Sequence, residues 1–486
     1  MNHLILLLLL TVFHFVTGYG LLNLFNVKLK PLAYGALATM CGVVIASLVP
    51  FFLQLAYLPI TFKSVMVAWL LIALALNAKV ILHFRSFSFK KAFSPMPRVQ
   101  LYEIPGLLII AFMLFVSIWR CYYYPSYVRD ALSGPETIAE LAIREHTMIN
   151  SAFSVNLETT NNQFKSPFLT ALQIIYKFAG FPFGGVWLSV LVVSFYIFLY
   201  NVLCEKVHPV LAGLLLIIFT ATPEAYGYTF MVLYDYSNMV FLFLGMYFLF
   251  RHWNSYSLSE FYFSAVLFAF AIFIRSETLA FVGMLMPFHL WNAWKRKVSL
   301  IKPLLHFGAM LLIGFFAYWL PTELYNNHYL PVDYKVETLI NKNLTDLSPF
   351  WIRITEMTSK LMFGEVGRML WGYFMYIFLI CLVAELIFIR KLTRDAINWL
   401  IAVGIIYVGL PFLGFLLPLM DLDNTTKRGL FKILPLMLLY MANNQLLTRL
   451  SAKMFQWEYA KASVAPSTSI GSNSGSAFQK NKKKSK

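Results

Sequence analysis

Long apolar runs alternate along this chain with short polar intervals. The runs are Leu4–Leu24, Leu32–Leu58, Ser64–Leu82, Ile104–Trp119, Gly184–Leu203, Val210–Thr222, Ser237–Phe250, Leu258–Ile274, Thr278–Trp294, Pro303–Leu320, Met369–Ile389, Ile397–Leu417 and Gly429–Leu447. A helix needs roughly 20 mainly apolar residues to cross the hydrocarbon layer. The pattern therefore predicts an all-α polytopic membrane protein with about 12–13 transmembrane helices. The stretch from Leu258 to Trp294 is too long for one crossing and is flanked by basic residues, Arg251 and Lys295. It predicts a hairpin of two short helices with Arg275, Ser276 and Glu277 at the tip.

Two polar intervals, 120–183 and 321–368, are long enough to hold helices of their own. Ser133-Gly134-Pro135-Glu136 offers a cap residue, an early proline and a glutamate at capping-box spacing. An amphipathic helix should follow, with Ile138, Leu141, Ala142 and Ile149 on one face. Ser166-Pro167 should start a second helix, Phe168 to Phe178, that ends at Gly180. Ser348-Pro349 should start a third, running to about Met362. Such helices are expected to lie in the membrane interface. The Ser/Gly/Thr-rich stretch Ser463 to Ser476 predicts disorder. The expected organisation is residues 1–100 as extra N-terminal transmembrane helices, 101–448 as the main membrane module, and 449–486 as a disordered basic cytoplasmic tail.

Composition agrees with a membrane chain: 59% hydrophobic and 13% charged, against about 45–50% and about 25% in soluble domains. The formal net charge of +17 would suit a nucleic-acid partner, but its distribution argues otherwise. The cations cluster at Arg85, Lys90, Lys91 and Arg98, at Lys295, Arg296, Lys297 and Lys302, at Arg390, Lys391 and Arg394, and in the tail from Arg449. These are short intervals between spans, as the positive-inside rule requires of cytoplasmic loops. No Lys or Arg precedes the first run, whereas Lys28 and Lys30 follow it. That is the wrong polarity for a cleaved signal peptide. The expectation is an N-terminus outside, a C-terminus in the cytoplasm, and intervals 120–183 and 321–368 outside. The four cysteines, Cys41, Cys121, Cys204 and Cys381, show neither metal spacing nor a disulfide framework.

This orientation puts nearly every acidic residue outside the tail and the inner loops on the outer side, and several ionisable residues there stand out. They are Asp130 and Glu136; Glu224; Asp235, at the mouth of a span; Arg275 and Glu277, at the hairpin tip; Arg368; and Arg428, which precedes Leu434-Pro435-Leu436. Charges at the membrane edge of a helix are costly and are functional candidates. A carboxylate can take a proton from an attacking hydroxyl. An arginine can clamp a phosphate and stabilise its developing charge. Structural roles compete with each reading. Asp130 and Glu224 would suit a water boundary. Glu136 and Asp235 would suit helix caps. Arg275 and Glu277 would suit a local ion pair, and Arg368 and Arg428 would suit interfacial anchors.

From Ile104 to Leu447 this layout resembles the GT-C glycosyltransferases, polytopic enzymes that use polyprenyl-phosphate sugars and include protein O-mannosyltransferases and aminoarabinose transferases. The resemblance rests on Asp130 in the first large outer loop, two helices in that loop, Asp235 at the start of a later span, Arg275 on a half-length hairpin, and Arg428 before a Leu-Pro-Leu run. Ala131 stands where the family often has a second acid. The resemblance implies transfer of a sugar from a polyprenyl-phosphate donor to a glycan, lipid or protein acceptor. Asp130 would be the base, Asp235 would position the acceptor or a cation, and Arg275 and Arg428 would bind the lipid phosphate. Glu136, Glu224, Glu277 and Arg368 are supporting candidates. No metal-ligand motif is present, and a divalent cation is left open. The competing classes are a lipid-linked sugar transporter or flippase, which would want an inverted repeat and midplane charges, and a polysaccharide ligase or polymerase. Short loops suit a bacterial inner membrane. Lys483-Lys484-Ser485-Lys486 and the sequons at Asn343 and Asn424 would suit the endoplasmic reticulum.

Overall fold

The computed structural model describes residues 3–82, 99–153, 165–328, 340–341, 343–417 and 421–464. Among these residues the chain is helical without strands. Among the described residues seven helices are long and apolar enough to cross a membrane, or nine if each of two bent pairs is one span. The protein is an all-α polytopic membrane protein.

Its helices are α1 (His3–Leu24), α2 (Pro31–Leu55), α3 (Phe62–Leu82), α4 (Ile104–Tyr123), α5 (Thr137–Glu145), α6 (Phe168–Phe178), α7 (Val186–Leu203), α8 (Pro209–Thr220), α9 (Tyr234–Ser255) and α10 (Leu258–Ile274). They continue as α11 (Thr278–Met284), α12 (Met286–Lys295), α13 (Ile301–Glu323), α14 (Ser348–Glu356), α15 (Glu365–Trp371), α16 (Phe374–Phe388), α17 (Arg394–Leu416), α18 (Leu434–Ala442) and α19 (Gln445–Val464). Each apolar run read from the sequence is mainly helical. Four of them, around α8, α9, α10 and the α11–α12 pair, are too short, too polar or too broken to meet the spanning criteria.

Burial sorts the helices. Only 11% of the most apolar window in the α4 region is buried, against 89% in α2. α4 therefore presents its apolar surface to lipid, while α2 is core. α2 packs on α1, α6 and α7, so an N-terminal helix lies inside the bundle. Glycines allow its contact with α1. A Cβ at Gly18 would lie 1.8 Å from the Ala38 carbonyl oxygen, and one at Gly42 would lie 1.9 Å from that of His14. Backbone meets backbone there, the usual way helices pack without a hydrophobic drive between them.

Several local expectations change. Ser133 is not a cap: its hydroxyl donates back to the Arg129 carbonyl at 2.7 Å. Residues Arg129–Glu145 run as continuous helix through a π-turn at Leu132–Glu136 that absorbs Gly134 and Pro135. α5 ends where His146 turns left-handed (φ 58°), so Ile149 lies beyond the helix. α6 has the bounds read from sequence, and Gly180 follows it at φ +87°. It is not a surface helix, however: Phe168 through Ile175 are buried, and it packs on α2 and α5. The hairpin's second arm is broken at Leu285. Pro287 explains this, because it has no N–H to donate and its ring crowds the carbonyl of Gly283. Residues 449–464 of the expected tail are helical, as part of α19. The basic cluster at 85–98 and the tail beyond 464 lie outside the described residues.

Candidate functional site

Asp235 is the hub of the site. It lies in the first turn of α9, after Leu233 in extended conformation. Its side chain is 1% exposed and accepts from two arginines. Arg428 donates to Oδ2 from Nε at 3.0 Å and from Nη2 at 2.7 Å. Arg275 donates to Oδ1 through Nη1.

Local structure delivers each partner. Arg275 leaves α10 in extended conformation (φ −146°, ψ 117°), so the chain turns at this point. Asn238, one turn into α9, donates to the Ala271 carbonyl and to Thr278 Oγ1, both at 2.8 Å, and stitches the hairpin tip to α9. Arg428 lies in a single helical turn, Lys427–Leu430. A π-turn precedes it, with Asp421 capping the Asn424 and Thr425 N–H groups. Gly429 lets this segment press on α17, since a Cβ there would lie 2.2 Å from Leu410 Cδ2.

The network extends both ways. Arg428 Nη1 reaches Asp130 Oδ2 at 2.7 Å, and Lys165 Nζ approaches the same oxygen at 3.4 Å. Lys165 is set in place by Ser166, whose carbonyl accepts from Tyr234 and whose hydroxyl donates to Phe273 O. On the other flank, Arg275 Nε pairs with Glu277 Oε1 at 2.7 Å, and the same oxygen accepts from Lys432 Nζ at 2.9 Å. Three carboxylates (Asp130, Asp235, Glu277) thus face four cations (Lys165, Arg275, Arg428, Lys432). Among the described residues of this network one positive charge is in excess. Burial acts to raise the Asp130 carboxyl, but Lys165 and Arg428 more than offset it and hold it below its ordinary value.

The remaining candidates divide. Glu224 pairs with Lys427 at 3.6 Å, one residue from Arg428. Glu136 belongs to a separate cluster: it accepts from Gln173 Nε2 at 2.7 Å and pairs with Lys177 at 2.6 Å. Burial raises its carboxyl despite the opposing pull of Lys177. Arg368 is exposed and lies outside the network. Lys165 and Lys432 were missed as site residues. Lys432 carried a signal: it stands four residues after Arg428 inside an apolar run, the spacing that puts two helical side chains on one face.

Both oxygens of Asp235 hold guanidinium groups, and its side chain is out of reach of solvent. A divalent cation does not fit here, because Asp130 and Asp235 already face cations and positive charge is in excess. Among the described residues no three His, Cys, Asp or Glu side chains gather as a metal site.

The far end of α9 is also charged, yet differently built. Arg394 donates to the Trp253 carbonyl at 2.6 Å, and Asp395 joins Lys206 at 2.8 Å to Asn254 at 3.0 Å. Asp235 and Trp253 are separated along the helix by roughly 27 Å, at about 1.5 Å per residue. That is close to the hydrocarbon thickness of about 30 Å.

No protein-family model, no curated protein and no solved structure matches this chain.

Proposed function

We propose that this protein is an integral-membrane glycosyltransferase of GT-C type, which moves a sugar from a polyprenyl-phosphate donor to a hydroxyl acceptor on the outer side of the membrane. One observation carries the reading. Asp130, Asp235, Arg275 and Arg428 come from four separate stretches of the chain and meet in one network, which with Lys165, Glu277 and Lys432 holds one more cation than acid among the described residues. Such a network lacks one anion, and a lipid phosphate would supply it.

Arg428 and Lys165 both lie on Asp130. An arriving phosphate draws these cations to itself and frees the Asp130 carboxylate. The acceptor oxygen then bonds to the anomeric carbon as the bond from that carbon to the phosphate oxygen breaks. The electron pair of the broken bond leaves with the phosphate, where Arg428 and Lys165 stabilise it. The acceptor proton passes to Asp130. Asp235 and Glu277 hold the arginines in position throughout.

The test uses full-length protein in membranes from cells that lack their own copy, supplied with labelled polyprenyl-phosphate sugars. Release of polyprenyl phosphate with transfer of the label is expected. Asp130→Asn should slow it by about 100-fold or more, the usual contribution of a general base. Transfer at the unmodified rate by D130N would overturn the assignment of the base. Movement of intact donor across the bilayer without cleavage would overturn the transferase reading.

A further inference from the structure

A second polar site lies at the end of α4 and shares no residue with the network above. The guanidinium of Arg120 is held between two rings, 5.4 Å from the Tyr124 centroid and 4.8 Å from that of Phe230. Its Nε is buried and has no hydrogen-bond partner, and it forms no ion pair with any described residue. Ser126 Oγ is buried and unpartnered too. Both residues line one small open cavity, which Tyr127 and Phe183 help to wall. Its interior, about 10 Å³, admits one oxygen-sized group.

An unsatisfied buried donor costs about 1–3 kcal/mol, and more when it is charged. Two in one cavity call for a partner, and the cation selects an anionic one. The surroundings select where that anion comes from. Leu108, Phe112, Phe115, Trp119 and Tyr123 are each more than 40% exposed. Their spacing of three and four residues makes a single stripe along α4, and Trp119 in that stripe meets the ring of Tyr124, which lines the cavity, at 5.3 Å between centroids. Tyr and Trp at such a position mark the level of lipid headgroups.

We infer that this cavity binds the phosphate of a membrane lipid in the leaflet on the Asp130 side. One phosphate oxygen inserts between Arg120 and Ser126, and the lipid chain lies along the α4 stripe. The inference does not depend on the transferase reading.

The test is native mass spectrometry of the full-length protein in detergent. It is titrated separately with dioleoyl phosphatidylglycerol, with dioleoylglycerol, and with inorganic phosphate. One phosphatidylglycerol per chain should be retained. Arg120→Ala should weaken retention by about tenfold, as expected for a charge-assisted contact, and Arg120→Lys should fall between. Ser126→Ala should weaken it by about threefold, and provides the test if the arginine variants do not yield folded protein. Equal retention by all variants overturns the site. Equal retention of dioleoylglycerol shows that the phosphate is not recognised. Displacement of the lipid by millimolar inorganic phosphate reassigns the cavity to a soluble anion.

Discussion

Among the described residues of this membrane protein two carboxylates are fully buried, and they are satisfied in opposite ways. Asp235 is held by Arg275 and Arg428. Glu385, on α16, accepts from neutral groups: Tyr440 Oη at 2.7 Å, Asn444 Nδ2 at 3.0 Å and the backbone N–H of Gln445 at 2.9 Å. The last of these starts α19, so Glu385 caps a helix from a neighbouring one and complements its dipole. Its task is complete within the fold. Asp235 instead gathers cations that, among the described residues, outnumber the acids around them, and the proposed function rests on that surplus. An intramembrane carboxylate is thus a functional signal only when its partners leave charge over.

Substitution at the two sites should separate these roles. The largest effect should come from Asp235→Ala, which removes the buried carboxylate that two guanidinium groups share. Loss of one member of a buried ion pair costs about 3–5 kcal/mol, read as the shift in thermal or denaturant unfolding in detergent. A shift no larger than for a surface variant would remove Asp235 from the hub. Glu385→Ala should cost less, about 1–3 kcal/mol, because the stranded groups are neutral. The amide isosteres sharpen the contrast. Glu385→Gln keeps an acceptor oxygen and should cost roughly 1 kcal/mol, with transfer activity retained. Asp235→Asn loses the countercharge and should abolish transfer even where the protein folds. Equal losses from E385Q and D235N would erase the distinction.

Acid should act next, through Asp130. Its carboxyl is held below the ordinary aspartate value near 3.8. A depressed carboxylate contributes its stability in full above the unfolded value and loses it as pH falls through the folded one. The Asp130–Arg428 contact should therefore be independent of pH from neutrality down to about 4, and weaken only below that. Unfolding of wild type and D130N across this range checks it, and the two curves should converge in acid. Arg368→Ala should do least, within about 0.5 kcal/mol of wild type and with unchanged activity. A large loss of transfer in R368A would bring back the supporting role that its position in the sequence suggested.

The legibility of the site varied residue by residue. Asp130, Arg275, Asp235 and Arg428 stood out because a charge within or beside an apolar run is conspicuous. Glu136 stood out equally, yet it belongs with Lys177 and Gln173, because the π-turn after Ala131 continues the helix and carries it to α6. Lys165 gave no signal, since a lysine in a polar loop is ordinary. Only its seating beside Ser166, against Tyr234 and Phe273, brings it to Asp130. The apparent cap at Ser133 misled because cap residues, proline and glutamate also fit a π-turn.

What the sequence determined by itself was the class and the positions of the helices. Long apolar runs leave the backbone no other way to satisfy its hydrogen bonds in lipid. Tertiary structure alone decided which helices form the core and which charges pair. The α2 and α4 regions have the same hydropathy, so nothing in that measure announces that α2 is core while α4 faces lipid. Arg428 and Asp130 are 298 residues apart and meet only through the packing of other helices. The excess cation that motivates the proposed function is a sum over that packing, and no single segment of the chain contains it.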